Sequence, residues 1–339
     1  CLSRGLGDVY KRQFVTRSEG DRGSVSVLDA HSGALLRTVL VGTFPGTGII
    51  DTVRGRVYIS STTEVSVLDA RSGAILQTLP NFGFVAVAEQ AGHVFFCSTG
   101  STHSPSIVRM LDARTNKVVR TVRVGVGANQ MIVAERTRQV FVVNATDNSV
   151  SVLDAQSGIV MRTVRVGEAP NAIAVDEQTE RIFVVNYRGS TVSMIDARSG
   201  RLVHTTTINL NPITLGVDEQ TGHVFVPTQY SIDVLDAHSG NLVHSVNVDT
   251  PPASVPVVID QRGRIAELLT SPLNDSGQDT TGPGRLLVLD GHTAAVLRRI
   301  TVGDVKTFGL YDVVAADLRA HRLFVLDYGG VRVFDTTRL

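Results

Sequence analysis

The segment that departs most from the repeating pattern of this chain carries oxygen-bearing side chains that could bind a hard cation. It spans residues 270–285, and Asn274, Asp275 and Asp279 are its candidate ligands. Carboxylate and amide oxygens are the ligands that Ca²⁺ takes in proteins. Their spacing matches no calcium-binding loop, so we favour a polar loop without a metal and keep the cation site as the alternative.

Side chains suited to ligand contact also fall in the short segments between apolar tracts. They are aromatic, amide and charged residues, which suit contacts with a protein, a peptide or a glycan. The candidate binding residues are His103, Asn144, Asp147, Asn186, Tyr187, Arg188, Tyr230 and Tyr328.

Motifs of enzyme and cofactor chemistry are missing from the sequence. No nucleophile elbow, HExxH, phosphate-binding loop or dinucleotide fingerprint stands in a suitable context. Tryptophan is absent, which argues against tryptophan-aspartate repeats and tryptophan-docked quinoprotein blades, and there is no CxxCH haem attachment site. We therefore assign no catalytic residue and expect no cofactor.

The elements that must position these residues follow from an internal repeat. The tract VSVLDA, or a close variant, recurs to the end of the chain, and its aspartates are separated by 40 to 54 residues: Asp29, Asp69, Asp112, Asp154, Asp196, Asp236, Asp290 and Asp335. A period in the low forties with strands throughout predicts the blades of a β-propeller. The longest spacing reflects the insertion at 270–285.

One repeat, residues 170–208, shows four short tracts rich in valine and isoleucine. We name them a (172–176), b (181–186), c (191–197) and d (201–208) and predict that each is a strand. Together they predict an all-β fold of four-stranded antiparallel blades. In that fold the b–c loops and the d–a crossings share one face, which is where we place binding.

Turn residues and histidines fit the same register. Asp176 and Asp196 can accept backbone amide hydrogen bonds in the a–b and c–d turns, and Gly200 can supply a positive φ. His93 and His223 begin strand b, where Arg181 stands in another repeat. Because histidine interchanges with arginine and glutamine at equivalent positions, we interpret most of the nine histidines as facing solvent.

Composition restricts the partners. The formal net charge is zero, with 32 basic and 32 acidic residues, so we expect no nucleic-acid partner. No apolar run is long enough for a membrane span. Cys97 lies in the apolar tract HVFFC, and we interpret it as a core residue.

The written-out blade resembles a known family. PNAIAVDEQTERIFVVNYRGSTVSMIDARSG followed by RLVHTTTI is similar to the repeat of YVTN-type, YncE-like bacterial and archaeal β-propellers, and FVVN at 141–144 and 183–186 stands at the position of their YVTN tract. The resemblance covers nearly everything after residue 13. It implies a secreted, periplasmic or cell-surface propeller, most members of the family having no assigned activity.

The ends of the chain bear on the number of blades. Residues 1–13 match no part of the repeat and lack an initiating methionine, so we interpret them as a non-native leader and expect one propeller domain over 14–339. The first repeat then begins at a strand b and the last stops after a strand c. We favour eight blades with the N-terminal blade truncated, and seven is the alternative.

Two functions remain open. The favoured one is a non-enzymatic, extracytoplasmic and monomeric binding or scaffold module for a protein, peptide or glycan. The alternative is a propeller hydrolase or lactonase with a metal at the channel mouth, which needs several converging oxygen or nitrogen ligands.

Overall fold

A computed structural model describes most of the chain. The described residues are 12–19, 22–46, 48–80, 83–98, 103–248, 258–259, 264–269, 283–293, 295–304, 314–317, 322–327 and 330–335. Within these ranges the regular elements are strands, and none is a helix.

The described strands form eight sheets, each joined in simple sequential order. Sheet 1 contains β1 (Arg12–Glu19), β2 (Arg22–Asp29) and β3 (Leu35–Val41); sheet 2 contains β4 (Gly48–Asp51), β5 (Arg56–Ser60), β6 (Glu64–Asp69) and β7 (Ile75–Pro80). Sheet 3 contains β8 (Phe84–Ala88), β9 (His93–Cys97), β10 (Pro105–Asp112) and β11 (Val118–Val126); sheet 4 contains β12 (Ala128–Ala134), β13 (Gln139–Asn144), β14 (Ser149–Asp154) and β15 (Val160–Arg165).

The remaining sheets follow the same plan. Sheet 5 contains β16 (Pro170–Asp176), β17 (Arg181–Asn186), β18 (Thr191–Asp196) and β19 (Arg201–Thr207); sheet 6 contains β20 (Gly216–Asp218), β21 (His223–Pro227), β22 (Ser231–Asp236) and β23 (Leu242–Asn247). Sheet 7 contains β24 (Val258–Ile259), β25 (Arg264–Leu269), β26 (Pro283–Asp290) and β27 (Val296–Asp304); sheet 8 contains β28 (Val314–Asp317), β29 (Arg322–Asp327) and β30 (Gly330–Asp335). The four strands predicted for 170–208 are confirmed, with ends that differ by at most two residues.

In the four-stranded sheets 2 to 6, strands b and c are the two central strands, and most of their residues are buried. In sheet 4 every residue of β13 is buried, and its Phe141 pairs with Val152 of β14. Strand d is exposed by contrast. A register shift recurs between c and d, two residues before the repeat aspartate, at Val67/Leu68 and Val152/Leu153 among others. Such a bulge increases the local twist just before the turn.

The c–d turns confirm the predicted role of the repeat aspartate. Asp196 Oδ1 accepts the Ser199 amide at 2.7 Å, and Asp154 Oδ1 accepts the Ser157 amide at 2.7 Å. Gly200 closes its turn with a φ of 60°, and Asn116 does the same in sheet 3 with a φ of 56°. The predicted a–b turn is confirmed too, since Asp176 accepts amides of Gln178 and Thr179.

These hydrogen bonds lower the pKa of the turn carboxyl groups. The Ser239 hydroxyl, and then the Ser239 amide, hold the pKa of Asp236 below its ordinary value of 3.8. The pKa of Asp290 is lowered in the same way by the amide and hydroxyl of Thr293. The charged form of the aspartate is thus the form that the folded turn stabilises.

A second repeated contact joins neighbouring sheets. The first residue of a strand b reaches a carbonyl oxygen in the c–d turn of the next sheet along the chain. The pairs are Arg12 Nε with Arg71 O (3.1 Å), Arg56 Nη1 with Ala113 O (2.7 Å), His93 Nδ1 with Ala155 O (3.1 Å), Gln139 Nε2 with Arg198 O (3.1 Å) and His223 Nδ1 with Gly291 O (3.0 Å). The prediction that His93 and His223 face solvent is therefore wrong, because both rings donate to an adjacent sheet.

The chain divides into two compact units. One contains the described residues up to Pro170 together with Asp196–Arg201, and the other contains Asn171–Ile195 with the described residues from Leu202 onward. In the first unit, Phe95, Val108 and Val140 belong to one apolar cluster. In the second, Phe183, Val192 and Val224 do the same. Each unit thus has its own core between successive sheets.

Two further sequence predictions can be placed. Cys97 is a buried free thiol, and burial raises its pKa to about 12, which confirms it as a core residue. Arg12 and Gln13, within the segment interpreted as a non-native leader, pair with Asp29 and Leu28 in sheet 1. The described first sheet lacks a strand a and the described last sheet lacks a strand d, while the blade count stays a prediction.

Candidate functional site

The d–a crossings are hydrogen-bonded to the b–c loop of the sheet that they leave. In sheet 5 the Ile208 amide donates to Ser190 O at 3.0 Å, and in sheet 6 the Val248 amide donates to Tyr230 O at 2.9 Å. The same contact joins Val166 to Asn148 O at 3.0 Å in sheet 4. A backbone hydrogen bond therefore fixes the start of each of these crossings to the b–c loop of the sheet that it leaves.

Crossings also bond to the b–c loop of the sheet that they enter. The Gln229 amide donates to Leu210 O at 3.0 Å, the Ala145 amide to Gly127 O at 2.9 Å and the Thr62 amide to Thr43 O at 2.9 Å. In both units, loops and crossings are thus hydrogen-bonded to each other at the same end of the strands. This confirms, for these segments, the prediction that the b–c loops and d–a crossings share a face.

In the second unit this surface carries exposed aromatic and apolar side chains. We call residues 187–190, 208–211 and 228–231 the loop surface. Tyr187 is 40% exposed, Leu210 68% and Tyr230 60%, and Arg188 is exposed as well. Sequence reasoning found Tyr187, Arg188 and Tyr230 but missed Leu210, because a single leucine in a crossing has no pattern that distinguishes it from a core residue.

Tyr230 is held by a short chain of side-chain amides. Gln229 Nε2 donates to Tyr230 Oη at 3.1 Å, and Asn211 Nδ2 donates to Gln229 Oε1 at 2.9 Å. Asn211 has a φ of 56°, a conformation that asparagine tolerates better than most residues. An exposed phenol ring is thereby oriented before any ligand arrives.

A buried carboxylate anchors the crossing beneath Leu210. Asp233 is fully buried, and it accepts the Asn209 amide at 2.7 Å, Asn209 Nδ2 at 2.8 Å and Ser231 Oγ at 3.0 Å. The equivalent position is a serine in sheets 1, 2, 4 and 5, as at Ser66, Ser151 and Ser193, and no other repeat carries a carboxylate there. That departure from the repeat was the signal that could have found it.

Asn144 and Asn186 lie beneath the surface rather than on it, which corrects the prediction that they contact ligand. Both are fully buried at the end of a strand b. Asn186 Nδ2 donates to Thr191 Oγ1 and Ser193 Oγ at 2.9 Å each, and Asn144 Nδ2 donates to the hydroxyls of Ser149 and Ser151 at 3.1 and 3.0 Å. The asparagine that ends FVVN therefore braces the first residues of strand c.

The other candidate residues are dispersed. Asp147 and His103 are exposed in the first unit, where Asp147 Oδ2 accepts the Val126 amide at 2.7 Å and so fixes a crossing. Tyr328 and the cation candidates Asn274, Asp275 and Asp279 lie outside the described residues. Among the residues that the structure describes, no three His, Cys, Asp or Glu side chains form a group that could hold a metal ion. The described part of the chain also contains no helix that is long and apolar enough to cross a membrane.

Repeated four-stranded antiparallel sheets joined in this order define a β-propeller protein. The chain is similar to the solved structure of the dihydro-heme d1 dehydrogenase NirN in complex with DHE, with a TM-score of 0.77 and 14% identity over 100% of this chain and 73% of that one. It is similar to Kuenenia stuttgartiensis hydrazine synthase, with a TM-score of 0.57 and 20% identity over 74% and 76%. A functionally unknown protein from Desulfotomaculum acetoxidans matches with a TM-score of 0.64 and 14% identity over 86% and 99%.

At these identities the likeness establishes the fold alone. No protein-family model and no curated protein sequence matches the chain. The fold prediction is confirmed at the level of a β-propeller.

Proposed function

We propose that this propeller is a non-enzymatic binding module that works outside the cytoplasm and holds a protein, peptide or glycan on its loop surface. The observation that carries the proposal is the exposed Tyr230 ring, which is fixed by Gln229 and, through it, by Asn211. Membership of the YVTN-type propellers is part of the same proposal. The extracytoplasmic location rests on that resemblance.

A preoriented aromatic side chain favours binding for two reasons. Tyrosine offers a large apolar face together with a polar hydroxyl, so it can stack on a sugar or pack against a peptide while keeping a hydrogen bond. A side chain that is already ordered loses less conformational entropy on association. Tyr187 and Leu210 enlarge the apolar area, and Arg188 adds a charge beside it.

Hydrogen bonds beneath this surface support a rigid platform. The crossing 208–211 is bonded to the loops on both of its sides and to the buried Asp233. Binding surfaces carried by loops on a fixed scaffold keep their shape while their exposed side chains vary. A rigid surface with exposed side chains is sufficient for a module that binds a ligand without catalysing a reaction.

The test is a glycan and peptide array probed with the purified chain. We expect a reproducible set of ligands, and we expect the double variant Tyr187→Ala, Tyr230→Ala to lose them. The matched control is Leu242→Ala, since Leu242 is 41% exposed in the same unit but lies on strand d. Absence of any ligand, or equal losses in the double variant and the control, would contradict the proposal.

A further inference from the structure

A cavity lies at the opposite end of the strands from the b–c loops, in the first unit. Its volume is about 440 Å³, and it lies among the a–b and c–d turns of sheets 2, 3 and 4. The polar side chains that line it are Arg54, Arg56, His93, Asp112, Arg114 and Gln156. The volume is within the range of small-molecule sites, roughly 300–1,000 Å³.

Arg54 distinguishes this cavity from equivalent places in the repeat. It is the third residue of its a–b turn, where the other described four-residue turns carry Ala91, Thr137, Thr179 and Thr221. Its Nη1 lies 3.1 Å from Oδ2 of the buried Asp51, which orients the guanidinium. Gly92 leaves room for it, since a Cβ there would lie 3.1 Å from Arg54 Nη2.

Arg56 brings a second guanidinium whose hydrogen-bond partners are neutral. Nη1 donates to Ala113 O at 2.7 Å and Nη2 donates to Arg114 O at 3.0 Å. These bonds fix the side chain and leave its charge uncompensated. Arg114 itself, on the c–d turn of sheet 3, is exposed.

The charges around the cavity do not cancel. Three guanidinium groups line it, against the carboxylate of Asp112 in the lining and that of Asp51 behind Arg54. The Asp112 carboxylate is held in its turn, because Oδ1 accepts the Thr115 amide and the Thr115 hydroxyl at 2.8 Å each, and its negative charge offsets part of the charge of Arg114. His93 Nδ1 is committed to Ala155 O, so Nε2 is its remaining polar atom. Three guanidinium groups against two carboxylates leave a net positive charge, so the cavity favours an anion.

We propose that this cavity binds the phosphate or sulfate ester of a small polar molecule, with Arg54, Arg56 and Arg114 around the oxyanion. Guanidinium groups attract the oxygens of phosphate and sulfate and can donate N–H hydrogen bonds to them. Arg56 contributes mainly its charge, because its Nη1 and Nη2 already donate to Ala113 O and Arg114 O. The cavity is larger than one tetrahedral anion needs, which leaves space for the body of a small ester such as a sugar phosphate. This site shares no residue with the loop surface and differs from it in chemistry.

Calorimetric titration of the full chain at low ionic strength tests the proposal. The probes are glucose 6-phosphate, glucose 6-sulfate, inorganic phosphate and glucose. We expect both esters to bind more tightly than inorganic phosphate, glucose not to bind, and added KCl to weaken the esters. The relative affinities of the two esters identify which oxyanion is preferred.

Matched variants locate the site. Arg114→Gln should weaken ester binding roughly tenfold, the loss expected for one charge-assisted contact. Arg71→Gln, at the same position in the c–d turn of sheet 2, should leave it unchanged, since Arg71 makes the same amide contact to Asp69 but does not line the cavity. The Tyr187→Ala, Tyr230→Ala variant should also bind the esters normally. Failure of the wild-type chain to bind either ester, or an equal loss in the Arg71 and Arg114 variants, overturns the proposal.

Discussion

The His93 ring donates from Nδ1 to the carbonyl oxygen of Ala155 at 3.1 Å, and this bond joins sheet 3 to the c–d turn of sheet 4. Arginine and glutamine make the same contact elsewhere, as Arg56 and Gln139 show. What these three side chains share is an N–H donor at a similar reach from the backbone. Their interchange in the repeat reflects that shared donor.

Replacing His223 tests this reading directly. His223→Gln should be nearly neutral, because glutamine keeps a donor for Gly291 O, whereas His223→Ala should cost about 1 kcal/mol of unfolding free energy. Urea denaturation followed by far-UV circular dichroism measures both. Equal destabilisation by glutamine and alanine would show that the ring's packing, and not its donor, is what matters.

Adjacent residues in the second unit should behave in opposite ways. Asn186→Ala removes two buried hydrogen bonds, from Nδ2 to Thr191 and Ser193, and should cost about 1–3 kcal/mol. Tyr187→Ala removes an exposed side chain and should change stability by less than about 0.5 kcal/mol. Thermal denaturation of the two variants side by side is the measurement, and a larger loss for Tyr187→Ala would mean that the two roles are reversed.

The anchor at Asp233 should control the order of the neighbouring crossing. Asp233→Ser restores the residue type found at Ser151 and Ser193, so the sheet should fold, but Asn209 loses its carboxylate partner. We expect faster amide exchange at 209–211. We also expect the free energy of ligand binding to weaken by no more than about 1.5–3 kcal/mol, the contribution of a hydrogen bond to a charged group. Unchanged exchange at 209–211 would show that Asp233 does not order the crossing of the loop surface.

The sequence predicted the parts of the fold that repeat. Asp154 and Asp196 recur at a fixed place, so their turn role could be read from spacing alone. Asn186 was misplaced because it is adjacent to Tyr187 in sequence, whereas in the structure Asn186 is the last, buried residue of β17 and Tyr187 is the first residue of the exposed loop. The contact of Gln139 with Arg198 joins residues far apart in sequence, and no local pattern encodes it.

Acid should weaken the c–d turns in a defined direction. The pKa of Asp236 in the folded chain is lowered from 3.8, so its contribution to stability is complete above that value and is lost as the pH falls through the lower folded pKa. Asp236→Asn, which replaces charge-assisted hydrogen bonds with neutral ones, should cost roughly 1 kcal/mol at neutral pH. Melting curves should show this difference shrinking below pH 3.8, and a difference that grows there would reverse the assigned sign.

Hydrogen–deuterium exchange of the chain with and without a ligand identified on the array tests the central claim most directly. We predict that the ligand slows exchange at 187–190, 208–211 and 228–231. We predict no change at the turns 177–180, 219–222 and 237–241, which lie at the other end of the same strands. Protection confined to those turns, with the loop surface unaffected, would contradict the central claim.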